Sequence, residues 1–175
     1  MCALGEGKLL AGLCDSWQRN NDILINLLRA LPEAGLEAAA TPTSPTVVKM
    51  FAHMIYVRFI FVSEVSPDYA DPHPPRAWLK ETDPERIAAG LKSSAHAVWS
   101  VVDSHLRSGK PLEMHYDHPL LLMQHMIWHE GYHHGQIKLA LKIAGLPFDD
   151  EQIGPVTWDV WMGKDTAAQR KRGPQ

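Results

Sequence analysis

The sequence predicts an all-α fold, a four-helix bundle, on three observations. Apolar residues recur at helical spacing in four long segments, each closed by proline or glycine. Period-2 alternation, the mark of half-buried strands, is almost absent. The chain has 175 residues, of which 45% are apolar, enough for one packed core, so residues 1–175 read as a single domain.

The first helix is expected over 7–31. Leu9, Leu10, Leu13, Trp17, Leu24, Leu27, Leu28 and Leu31 form its apolar stripe. Asn20 and Asn21 interrupt that stripe, and one of them is expected to face the interior. Pro32 ends the helix because proline has no N–H for the ladder. The segment 32–43, rich in Ala, Pro and Thr, reads as a loop. The second helix, 44–66, opens on Ser44-Pro45, an N-cap followed by proline at the first helical position. Met50, His53, Val57 and Ile60 share one face. Most other faces are apolar too, so deep burial is expected.

The connection 67–81, "PDYADPHPPRAWLKE", is long for a compact domain. It has room to cross one end of the bundle, so the third helix can run parallel to the second. That third helix, 83–108, opens on Thr82 and Glu85 as a capping box with Pro84 in its first turn. It closes at Ser108-Gly109. The fourth, 118–144, starts at Asp117 with Pro119 just inside and meets Gly145 and Pro147. A short C-terminal extension, 146–175, follows. Its "TWDVWM" (157–162) either caps the bundle or lines a dimer contact.

Charge narrows the function classes. The net charge is 17 − 20 = −3, with no basic stripe, which argues against nucleic acid as partner. The run Arg170-Lys171-Arg172 reads as a solvated tail. No apolar stretch approaches the roughly 18 residues of a membrane span. Cys2 and Cys14 form neither a CxxC pair nor a disulfide framework. The expectation is a soluble protein of a reducing compartment, the cytoplasm.

The chemistry concentrates in "WHEGYHHGQI", 128–137. Residues four apart on a helix lie about 6 Å apart along the axis and about 40° around it. His129 and His133 therefore project side by side and can share one ion at roughly 2.0–2.1 Å each. A third ligand must come from another helix. His53, mid-helix on an apolar stripe, is the candidate, since neighbouring axes lie about 8–10 Å apart. Three such nitrogens leave coordination positions open, as catalytic rather than structural zinc sites do. The plainer reading, hydrogen-bonded core histidines, stays open on spacing alone. A His125/His129 pair is a weaker alternative. His73, His96, His105, His115 and His118 read as surface or bundle residues, and His134 should point away from the site.

His129, Glu130 and His133 also spell HExxH, in which Glu130 would be a peptidase's general base. The extended forms of that motif do not fit. A glycine and a further histidine are required where this chain has Gln136 and Leu139. A downstream glutamate on a second helix is required where Glu151 falls in a loop. Glu130 is thus expected to face solvent.

Together, "FAHMIYVRFIF" (51–61), "HEGYHHGQI" (129–137), "DSWQRNNDILINLLRALPE" (15–33) and "AGLPFDD" (144–150) resemble the DinB-like (DinB/YfiT-like) superfamily of metal-binding bundle proteins. The resemblance covers nearly the whole chain. It implies up-down-down-up topology, with the long crossover between helices two and three. It implies a divalent ion held at the positions of His53, His129 and His133, and a homodimer. It also implies a small-molecule substrate, with activities that include thiol-dependent transfer or isomerisation using a low-molecular-weight thiol, and hydrolysis. A non-catalytic metal-binding stress protein is the alternative. The usual arginine before Gly-Gln is His134 here, outside the proposed ligand set. Gly135 would admit close approach of a neighbouring helix. Gln136 would orient a ligand or a bound water, or else sit at the bundle's edge. Trp128, Tyr132 and Tyr56 would shape the pocket mouth, or simply pack. Imidazole suits Zn, Ni, Fe and Cu alike, so the residues do not name the metal.

Overall fold

The computed structural model describes residues 3–162, and every regular element among them is helical. Four long helices carry the fold: α1 (Ala3–Ala30), α2 (Val47–Val65), α3 (Pro84–Ser108) and α4 (Pro119–Ile143). Two short ones follow, α5 (Asp150–Ile153) and α6 (Trp158–Met162). Cys2 and the basic run Arg170-Lys171-Arg172 lie outside the described residues.

Helix ends follow local chemistry, with some shifts from expectation. α1 begins at Ala3 rather than near Gly7 and stops at Ala30, before Pro32. α2 begins at Val47, so Ser44-Pro45 is not its cap. Ser44 instead pairs its hydroxyl with that of Thr41 at 2.8 Å, closing the preceding turn. The cap of α3 is Asp83 rather than Thr82. Its carboxylate accepts from the Glu85 and Arg86 amides, satisfying donors that the first turn leaves free. His118 caps α4 by accepting from the Leu120 amide, one residue beyond the expected Asp117. Gly109 and Gly145, at φ 67° and 75°, take the left-handed conformation that stops α3 and α4.

The connections are less irregular than their composition suggests. The loop after α1 holds a 3-10 turn, Glu33–Glu37. The long crossover holds two, Pro67–Tyr69 and Pro75–Lys80. Proline lacks a ladder donor but suits the first position of a short turn. The second turn packs back on the bundle, where Trp78 stacks against Phe59 with ring centroids 6.1 Å apart. Gly90 makes room for it: a Cβ there would lie 2.5 Å from the Trp78 ring and 2.9 Å from Ile55.

The core forms two apolar clusters. One joins Leu24, Leu27 and Leu28 to Phe51, Ile55, Phe59, Leu91, Ile137 and Leu141. The other joins Trp17 to Val62, Val98, Val101, Val102, Leu122, Met123 and Met126. α2 is deeply buried, as its all-round apolar sequence requires. Contacts between α2 and α3 advance together along both helices. Ile55 lies at Gly90, Arg58 bonds Leu91 and Ser94, and Ser66 bonds His105. Of the C-terminal extension, the 3-10 turn Gly154–Val156 and α6 lie against α1. Arg19 donates to the Val160 carbonyl and Asn26 to that of Val156. Trp158 and Trp161 of "TWDVWM" stay exposed while Val160 is buried.

Candidate metal centre

α2 contributes His53, and α4 contributes His129 and His133 one turn apart. One ligand atom from each ring lies within 4.8 Å of the other two. Ring centroids are separated by 5.3 Å (His53–His129), 5.1 Å (His53–His133) and 4.5 Å (His129–His133). The pair picked out by its spacing and the mid-helix His53 thus converge.

The donor set fits a divalent ion. The Nε2 atoms of His129 and His133 are 3.1 Å apart. An ion with bonds of roughly 2.0–2.1 Å spaces tetrahedral ligands about 3.3 Å apart and adjacent octahedral ligands about 2.9 Å apart. The observed pair falls between these values. Gln136 Oε1 lies 2.7 Å from His133 Nδ1. An amide oxygen only accepts, so Nδ1 carries the proton and Nε2 presents its lone pair to the cluster. His129 Nδ1 is buried with no hydrogen-bond partner among the described residues.

Electrostatics favour neutral rings. His129 is lowered to about 4 by burial first, then by His133, His53, His125 and Arg58. Burial and His133 lower His53. Burial lowers His133, opposed by its bond to Gln136 and by the Glu130 charge. A neutral imidazole is the ligand form. His125 is engaged elsewhere: the Tyr116 hydroxyl lies 2.7 Å from its Nδ1, and Phe61 packs edge-on against its ring. That leaves the His125/His129 pair the weaker arrangement, with centroids 6.4 Å apart.

Aromatic residues flank the triad. Tyr132 meets His133 edge-on at 5.4 Å, and Tyr56 lies 6.2 Å from His53. Trp128 stacks on Tyr132 but is 72% exposed, so it stands outside the pocket rather than forming its wall. His134 points away, into a groove shared with Asn20, Thr157, Trp158 and Trp161.

Three expectations fail here. Among the described residues nothing lies within 4 Å of a Cβ added at Gly135, so no described helix approaches it closely. Glu130 does not face solvent: it is 1% exposed and bound on both oxygens. Arg58 Nε and Nη2 reach Oε1 and Oε2 at 2.5 and 2.9 Å, and Asn20 also donates to Oε2. A carboxylate so occupied cannot serve as a peptidase's general base. Glu151 lies in α5 rather than a loop, and is exposed.

Arg58 was not anticipated from the sequence. It is fully buried, and its Nη1 donates to Asn21 Oδ1, the Leu91 carbonyl and Ser94 Oγ. Its guanidinium lies 4.8 Å from the Trp17 ring centre. Both Asn20 and Asn21 are therefore interior, and the network joins all four long helices. A signal was available: Arg58 is the lone charge within 50–63, and Glu130 is the lone acid of α4. Two opposite charges isolated on apolar helices are costly unless they meet.

No curated protein and no solved structure matches the chain. A model of the DinB family matches residues 6–149, a span that includes His53, His129, His133 and the whole polar network. With that match over most of its length, the chain belongs to the DinB family.

Proposed function

We propose that this protein binds a divalent metal ion through His53, His129 and His133 and uses the open positions for a small-molecule reaction. The reaction class we favour is transfer or isomerisation with a low-molecular-weight thiol, with hydrolysis as its neighbour. The observation that carries it is the meeting of three imidazoles from two helices at ligand spacing. A bound Zn, Ni or Fe would supply a Lewis acid that lowers the pKa of a thiol or a water. The chain's own residues hold the geometry: Gln136 sets the His133 tautomer, and Tyr56 and Tyr132 stand beside the rings. The up-down-down-up path belongs to the same reading, supported by contacts that advance together along α2 and α3. The free Cys14 thiol suits a reducing cytoplasm.

The test is the Co(II)-loaded protein mixed with candidate thiols. A change in its visible spectrum that is lost in His53→Ala supports thiol chemistry. A metal-loaded protein indifferent to every thiol favours a metal-binding stress protein without catalysis.

For the partner we infer a second copy of this chain, docked on the outer face of α4. Leu121, Trp128, Tyr132, Leu139 and Ile143 form an exposed apolar row along that helix, with Gly131 and Gly135 open beside it. The row exposes roughly 600 Å² of side chain, near the ~800 Å² per partner of a stable interface. Its two ends are equidistant from Tyr132, since 132 − 121 and 143 − 132 are both 11. An antiparallel two-fold pairing would set Trp128 against the notch at Gly135.

A further inference from the structure

We propose that the buried Arg58–Glu130 pair is a positioning clamp. It sets the roll of α4 against α2 and so brings His129 and His133 to His53. This rests on the metal reading above and deepens it, because it gives the HExxH glutamate a role other than catalysis.

The argument starts from placement. Glu130 follows His129 directly and precedes His133 by three residues, so the three side chains share one short stretch of α4. Arg58 lies five residues beyond His53 on α2. The clamp and the candidate site therefore join the same two helices at nearly the same level. Elsewhere these helices meet through apolar side chains such as Ile55, Phe59, Met126 and Ile137. Apolar packing is non-directional and tolerates small rolls. A roll of about 20° would carry an imidazole nitrogen about 2 Å, given a helix radius of about 2.3 Å plus the side chain. Metal bonds tolerate only about 0.2 Å.

Directional bonds remove that freedom. The two parallel Arg58–Glu130 bonds form a fork that fits one orientation. The fork is itself anchored on three sides. Asn20 of α1 holds the carboxylate, Asn21 of α1 holds Nη1, and the Leu91 carbonyl and Ser94 of α3 hold it from below. Trp17 backs the guanidinium while its own indole N–H donates to the Ala95 carbonyl at 2.8 Å. Neither Arg58 nor Glu130 touches the triad's open side, so they act through the helices and are not catalytic residues.

The test compares metal affinity at matched stability. The double variant Arg58→Met with Glu130→Gln leaves no lone buried charge, and its amide still gives Asn20 an acceptor. The control is Val101→Ala, a cavity in the second apolar cluster, away from the polar pair. Metal-free melting temperatures are recorded first, and Co(II) affinity and the visible band are then measured on each folded protein. The double variant is expected to lose about tenfold or more in affinity and to change its band, as altered ligand support does. Val101→Ala is expected to bind as the wild type does. The clamp is refuted if the double variant binds within about threefold of wild type. An equal loss in Val101→Ala refutes it too, because general destabilisation then explains the effect. Should the double variant not fold, Glu130→Gln alone is put through the same comparison. A wild-type protein that takes up no Co(II) overturns the metal reading itself and the clamp with it. A tie between variant and wild type overturns the clamp alone.

Discussion

Acidification should weaken the metal-free protein through His129, and the size of the effect can be worked out. In the folded chain this imidazole is lowered from its ordinary 6.5 to about 4, chiefly by burial. Between those values the unfolded chain binds a proton at this site that the folded chain refuses. Stability therefore rises with pH across that window, and it is lost as pH falls from 6.5 toward about 4. At 1.36 kcal/mol per pH unit the ceiling is about 3.4 kcal/mol. The ring is only half-buried, and solvent screening brings the expectation to about 1–2 kcal/mol. With a urea dependence of about 2 kcal/mol/M, the midpoint should fall by about 0.5–1 M between pH 7.5 and 4.5. The assay is urea unfolding of chelator-treated protein at several pH values, alongside His129→Gln. Subtracting the variant's profile removes the carboxylates that titrate in both proteins. The difference should be level above pH 6.5 and slope downward below it. A difference that stays level down to pH 4.5, or rises on acidification, refutes the burial argument.

Three further outcomes are expected. Glu130→Ala, which strands the Arg58 charge in the core, should cost about 3–5 kcal/mol in thermal or urea unfolding. Replacing Gln136 with Leu should lower metal affinity about tenfold or more, measured by competition with a chelator, because His133 Nδ1–H loses its acceptor. Trp128→Glu should leave helix content unchanged by circular dichroism, since the ring is largely exposed, yet shift the mass seen by light scattering from dimer to monomer.

Much of the architecture was legible because it is local. Helical spacing, proline stops and left-handed glycines act within a few residues, and the four long helices fall close to where those signals place them. The caps expected at Ser44, Thr82 and Asp117 lie one or two residues before the observed Thr46, Asp83 and His118. Several polar side chains compete for each first turn, and the winner depends on the path of the incoming loop. The His129/His133 pair was legible for the same reason, since an interval of four is enough to set two rings side by side. His53 could be nominated only as the histidine in the middle of an apolar helix.

The sequence by itself determined the helices, their approximate ends and which imidazoles were available to a metal. Only the tertiary structure decided how far each helix is rolled about its axis. That roll put Glu130 inside against Arg58, left Gly135 in the open and turned Trp128 outward. The reason is physical: helical periodicity is set by hydrogen bonds four residues apart, whereas roll is set by which distant groups must meet. Here those groups are two lone opposite charges, Arg58 and Glu130, 72 residues apart in the chain.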